Sequence, residues 1–160
     1  MKPLTKPFVP TSVVLLIVRL LLGVVFIYHG GQKVFGWFGG YGLTATVGFF
    51  TQNLGIPAWL GYVASFAEFF GGVGLIIGFL SRVWAIGLVV NMLVAIFTVH
   101  LANGFSNGGN PNGPGYEYNL ALIVLSLAIA LLGPGTLSLD HKIFGGAKAE
   151  DHLGHLSAAR

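Results

Sequence analysis

Four apolar stretches dominate the chain, near residues 13–35, 58–80, 83–103 and 117–134. Each comes close to the roughly 20 helical residues that cross a hydrocarbon core. Composition agrees with that reading. Of 160 residues 54% are hydrophobic and only 8% charged, against about a quarter charged in soluble domains. So few charges do not cover the surface of a water-soluble fold, whereas a bilayer removes the need for them. The expected fold is all-α: an integral membrane four-helix bundle over residues 1–145, with a short cytoplasmic tail at 146–160.

The first stretch follows Lys2 and Lys6 as a signal peptide would. It is too long for one, carries Arg19 inside and lacks a small-x-small cleavage site, so it reads as an uncleaved helix. Pro57 opens the second span, Ser81-Arg82 makes a minimal turn into the third, and Gly133-Pro134-Gly135 stops the fourth. With an even number of spans, both termini share a side with that turn. This side collects Lys2, Lys6, Arg82, Lys142, Lys148 and Arg160, while the other holds Lys33 alone. The positive-inside rule then puts both termini in the cytoplasm.

The two outward connections differ. Residues 36–57 carry Trp37, Phe38, Tyr41, Phe49 and Phe50, and Leu43, Val47, Phe50 and Leu54 recur at helical spacing. They predict a short helix lying in the interface, anchored by aromatics. NGFSNGGNPNGPG, residues 103–115, is too polar for lipid and reads as a connector, although its flexibility would also suit a lid.

Net charge of +3 and a pI near 9.4 come without a basic patch, so nucleic acid is not an expected partner. The chain has no cysteine, which excludes disulfides, CxxC chemistry, thiolate-held zinc or iron–sulfur clusters and a lipoprotein-type anchor. His141, His152 and His155 are scattered along the tail, and no HExxH spacing supports a metal site.

Ionisable groups within a span cost roughly 2.5–3.5 kcal/mol each on insertion scales, so each requires a partner or a purpose. Arg19, Glu68 and Asn91 are such groups. Arg19, Gly23, Phe26, Gly30 and Lys33 share one stripe of the first span. Gly61, Ala64, Ser65, Glu68, Gly71, Gly72 and Leu75 share one on the second, and Trp84, Gly87, Asn91, Ala95 and Thr98 one on the third. The small residues on these stripes let helices approach closely.

The simpler expectation is a structural pair of Arg19 with Glu68, with Asn91 as a further hydrogen-bond partner. The sharper one is a proton or ligand site. Burial penalises the charged form of Glu68, and a neutral carboxyl can donate a hydrogen bond to a quinone carbonyl.

A second cluster, His29, Lys33, His100 and Glu117, lies at one depth near the outer ends of three spans. It suits an anion, a quinone head group or, less readily, a metal. Each member also has an ordinary explanation: Lys33 can snorkel to water, and Glu117 suits a helix N-terminus. His100 stands nine residues after Asn91, so both face the bundle only if the third span bends or unwinds between them.

Together these segments are familiar. RLLLGVVFIYHGGQKVFGWFGG, LGIP, EFFGGVGLIIGFLSR, VHLANGF, EYNLAL and GPGTLSLD occur in order over about residues 12–145. The chain thereby resembles the DoxX family of small four-helix bacterial membrane proteins. The resemblance implies a multi-pass protein of the bacterial inner membrane, often linked to oxidoreductase assemblies, and it marks Arg19, His29, Lys33, Glu68, His100 and Glu117 as the family's polar positions. Thiosulfate specificity, found with one relative, does not carry over.

Two functions follow as expectations. The first is a quinone-linked subunit that takes electrons from a partner chain, with His29, Lys33, His100 and Glu117 at the head group and Glu68, His29 and His100 handling protons. Quinone would be held non-covalently, and no covalent haem, flavin or iron–sulfur motif is present. The second is a non-catalytic accessory subunit whose Trp37, Phe49 or Phe50 contacts a partner. A small-solute carrier is a weaker third, since no inverted repeat is visible. Gly74 and Gly78 would support either packing inside one chain or a homo-oligomer.

Overall fold

The computed structural model describes residues 9–108, 111 and 113–145. The tail from 146 onward, with Lys148, His152, His155 and Arg160, and the N-terminal Lys2 and Lys6 lie outside them. Among the described residues there is no strand. Helix α1 spans Thr11–Phe35, α2 Gly42–Leu54, α3 Ala58–Ile77, α4 Ser81–Ala95 and α5 Glu117–Leu132. The chain continues α4 through a π-helical turn, Ile96–His100, and a 3-10 turn, Leu101–Asn103.

Three helical segments are long and apolar enough to cross a membrane: Thr11–Phe35, Ala58–Ile77 and Ser81–Asn103. The fourth apolar helix, α5, has 16 residues. Helices α1, α3, α4 and α5 pack in a cycle, α1 on α3, α3 on α4, α4 on α5 and α5 on α1. Their shared core holds Leu22, Phe26, Leu75, Leu88, Met92 and Ile129.

The closest helix pair is α1 with α3, and glycines set its register. A Cβ on Gly30 would lie 2.5 Å from the Phe69 amide nitrogen, and one on Gly72 would lie 2.8 Å from the Gly23 carbonyl oxygen. Two backbones therefore touch, as small-residue stripes permit in an apolar medium. The stripes expected on α1 and α3 are buried as drawn, apart from half-buried Ala64 and Lys33. On α4 the buried face is rotated to Ala85, Leu88, Met92 and Ile96, leaving Thr98 exposed. The GxxxG pair is consumed inside the chain. Gly74 makes room for the Trp84 ring, and a Cβ on Gly78 would collide with the Arg19 guanidinium.

Helix α2 turns Val47 and Phe50 onto Gly61 of α3 and leaves Trp37, Phe38, Tyr41 and Phe49 exposed. Phe50 thus belongs to the bundle rather than to a partner surface. The 103–115 loop is stitched back on itself by Tyr116 N–H donating to Gly104 O and Glu117 N–H donating to Phe105 O, at 3.2 and 2.9 Å.

Candidate functional site

Glu68 is 4% exposed and accepts on both carboxylate oxygens. Lys33 Nζ donates to Oε2, and Asn91 Nδ2 donates to Oε1 at 2.9 Å. The α1–α3 register brings Lys33 there, and the packing of α4 on α3 brings Asn91. Both donors reach from neighbouring helices, which is how a charge inside an apolar bundle is made tolerable.

This corrects the expected Arg19–Glu68 pair. In the antiparallel register Gly30 faces Phe69, Gly23 faces Ile76 and Arg19 faces Gly78. Arg19 and Lys33 stand about 21 Å apart along α1 at 1.5 Å per residue, so only Lys33 reaches the level of Glu68. With Lys33 and Asn91 donating to it, Glu68 acts as an acceptor rather than as a neutral donor to a carbonyl.

Arg19 is wholly buried elsewhere. Its Nη2 donates to Leu137 O at 2.5 Å, while Nε and Nη1 have no hydrogen-bond partner among the described residues. Beside it the Asp140 carboxylate accepts from Leu80 N–H and Ser81 N–H, at 2.7 and 2.9 Å. It caps α4 and holds Leu80 at a left-handed φ of 50°.

Next to Glu68 a cavity of about 800 Å³ opens between α1, α3, α4 and α5, in the size range of organic ligand sites. Its polar wall carries His29, Lys33, Glu68, Asn91, His100 and Asn119. Asn91 and His100 share this wall because the chain widens into the π-helical turn Ile96–His100 between them. The unwinding that their nine-residue spacing demanded is therefore present. π-Turns concentrate at functional sites.

His100 Nδ1 lies 2.9 Å from Pro114 O, and His29 Nδ1 lies 3.2 Å from Gln32 Oε1. Carbonyl and amide oxygens only accept, so each Nδ1 carries the proton and each Nε2 is the acceptor. The loop contributes Asn107, Pro114 and Gly115 to the wall.

Glu117 does not join this cluster. It accepts from Asn107 N–H at 2.7 Å and closes the loop instead. Sequence reasoning missed Asn119, 6% exposed on the cavity wall with Nδ2 donating to Met92 Sδ at 3.5 Å. A carboxamide one turn into the apolar run EYNLALIVL was the available signal. No group of three or more potential metal ligands occurs among the described residues.

The family model described as DoxX matches residues 14–101. That match ends just past His100 and so covers all the polar residues of the cavity wall except Asn119. The protein of Bacillus subtilis (strain 168) named "Putative oxidoreductase CatD" is 31% identical over 133 residues, covering 83% of this chain and 89% of its own. "Inner membrane protein YqjF" of Escherichia coli (strain K12) is 28% identical over 125 residues, covering 78% of this chain and 88% of its own. No solved structure matches. With the family model matching over half the chain and the CatD likeness running through most of both proteins, this all-α membrane protein belongs to the DoxX family.

Proposed function

We propose that the chain is the quinone-interacting subunit of a membrane redox complex, with the head group bound beside Lys33, Glu68 and Asn91. One observation carries this reading. A buried ion pair sits on the wall of an organic-ligand-sized cavity that two oriented imidazoles also face. The printed name of the Bacillus relative, an oxidoreductase, supports the same class.

The residues fit a carbonyl-bearing ring. Lys33 and Asn91 are donors that can turn from Glu68 to a carbonyl oxygen, while the Nε2 atoms of His29 and His100 accept from a hydroxyl. A quinone, when bound, supplies the acceptor for two electrons and two protons. Glu68 and the imidazoles hold and pass protons at the wall, and a partner chain delivers the electrons, since the chain offers no cysteine to hold an iron–sulfur centre. By the positive-inside reading, the α2 end faces outward and the α3–α4 turn faces the cytoplasm. Helix α5 completes the fourth span.

The test is equilibrium binding of a water-soluble, tailless quinone to the protein in lipid nanodiscs. Asn91→Leu and His100→Ala each remove one hydrogen bond and should weaken binding about tenfold. Absence of binding to the wild type, or unchanged binding in both variants, overturns the proposal.

A second reading rests on the exposed aromatics of the α2 end, where Tyr41 is 88% exposed beside Trp37, Phe38 and Phe49. These rings suit an interfacial belt, and they also suit contact with a partner subunit. Loss of a co-purifying chain in a Trp37→Ala/Phe49→Ala variant that still binds quinone would favour this accessory role. Unchanged recovery of partners rejects it.

A further inference from the structure

The cavity is not enclosed by the bundle on every side. Near the α3–α4 turn these two helices touch: a Cβ on Gly71 would stand 3.4 Å from Leu88, and Gly74 abuts Trp84. From the Glu68–Asn91 bond toward the α2 end, the facing residues are short, Ala64 and Ala67 against Ala95, and all three line the cavity. Val63, Val90 and Val94 line it as well, yet they are 55%, 55% and 43% exposed. The cavity wall thus continues without a break into the apolar outer surface of the bundle.

Gly87 adds an independent sign. A glycine inside a helix costs about 1 kcal/mol relative to alanine, so its presence needs a reason. Gly87 lies within α4 with no positive φ, and a Cβ there would meet nothing within 4 Å. Neither backbone conformation nor close helix packing calls for it, and the space beside it belongs to the cavity.

From these features we infer that the ligand enters sideways from the bilayer, through the cleft between α3 and α4, and keeps its tail there. The occupant is then a membrane-dissolved amphiphile with a carbonyl-bearing head and a long hydrocarbon tail, not a water-borne solute. The polarity of the walls separates head from tail: the cleft is formed by Leu60, Val63, Ala67, Val90 and Val94, and the charged and imidazole groups stand beyond it. This inference rests on the head-group site proposed above. Lipid is as apolar as the cleft, so the tail itself adds little affinity; the cleft provides access and a place for the tail to leave.

The experiment compares two probes in nanodiscs, a quinone with a long polyisoprenyl tail and the tailless quinone, across wild type, Gly87→Ala, Gly87→Phe and Ala67→Phe. The two phenylalanines fill the cleft from opposite walls, so either one that folds serves, and tailless binding reports that the head site is intact. The expected result is long-tailed binding weakened about tenfold or more in the Phe variants, with tailless binding unchanged, and no effect of Gly87→Ala. Long-tailed binding equal to wild type in both Phe variants overturns lateral entry while leaving the head site standing. Equal loss of both probes also overturns it, because the tail then has no separate path. A dimer of the wild type in nanodiscs that Gly87→Phe dissociates overturns it too, by assigning the cleft to a second copy. Failure of the wild type to bind either probe instead removes the head-group reading itself.

Discussion

At one end of the bundle, the Arg19 guanidinium is buried against Gly78 and tied to Leu137 O, in a pocket shaped by backbone. At the other, Lys33 and Glu68 are tied to each other and to Asn91 on the wall of an 800 Å³ cavity. Both are charges in an apolar protein, but their surroundings differ. Arg19 fills its space completely at 0% exposure and fastens the segment that follows α5 onto α1. Lys33 keeps a partly open side chain next to empty volume. Buried charge alone therefore does not mark a functional site here. A charge with a replaceable partner, facing space that a ligand can fill, is the more informative sign.

The sharpest way to break that contrast is to unpair Glu68. Lys33→Met leaves a buried carboxylate without its cation, which should cost about 3–5 kcal/mol in stability and abolish quinone binding. Lys33→Met/Glu68→Gln removes both charges. It should recover most of the stability in thermal unfolding, yet none of the binding. If the double variant binds quinone like wild type, the ion pair is structural in the same sense as Arg19.

Gly30→Ala tests whether helix packing sets the site. The added methyl meets Phe69 backbone at 2.5 Å, so α1 and α3 must separate or slide. The expected cost is about 1–3 kcal/mol, with weaker quinone binding because Lys33 moves relative to Glu68. Gly48→Ala is the control, since a Cβ there meets nothing within 4 Å. Equal binding by both variants would separate the site from the register.

Much of this architecture was legible in the sequence. Apolar length located α1, α3 and the α4 segment, and the Leu43, Val47, Phe50, Leu54 stripe located α2. Stripes of glycine identified the faces of α1 and α3 that meet. The partner of Glu68 was not legible from type alone, because Arg19 and Lys33 share a stripe and either satisfies a carboxylate. Only the register, fixed by Gly30 against Phe69, chooses between them. Glu117 misled because depth in a span says nothing about direction; its carboxylate turns to a loop amide. The spacing of Asn91 and His100 did contain the π-turn as a condition, since no regular helix puts both on one wall.

Arg19→Met sharpens the comparison from the other side. It loses a charge-assisted hydrogen bond, at most about 3 kcal/mol, offset by removal of two buried N–H groups without partners. Hydrogen exchange should rise in residues 137–140, with quinone affinity unchanged. A matching drop in affinity would couple the two ends and undo the distinction between them.

The smallest effect is expected at Asp140, the acidic member of the same closed end. Its carboxylate caps α4 through two backbone amides and supports the left-handed Leu80. Asp140→Ala therefore strands two N–H donors, an N-cap loss of about 1 kcal/mol. Leu80→Gly in the same background should return part of that, because glycine adopts a positive φ without strain. Thermal unfolding of the single and double variants reads both terms. Recovery by Leu80→Gly would show that the carboxylate holds a strained turn as well as capping a helix. Further loss would show that the Leu80 side chain, 39% exposed at the edge of the bundle, contributes more by packing than its backbone costs.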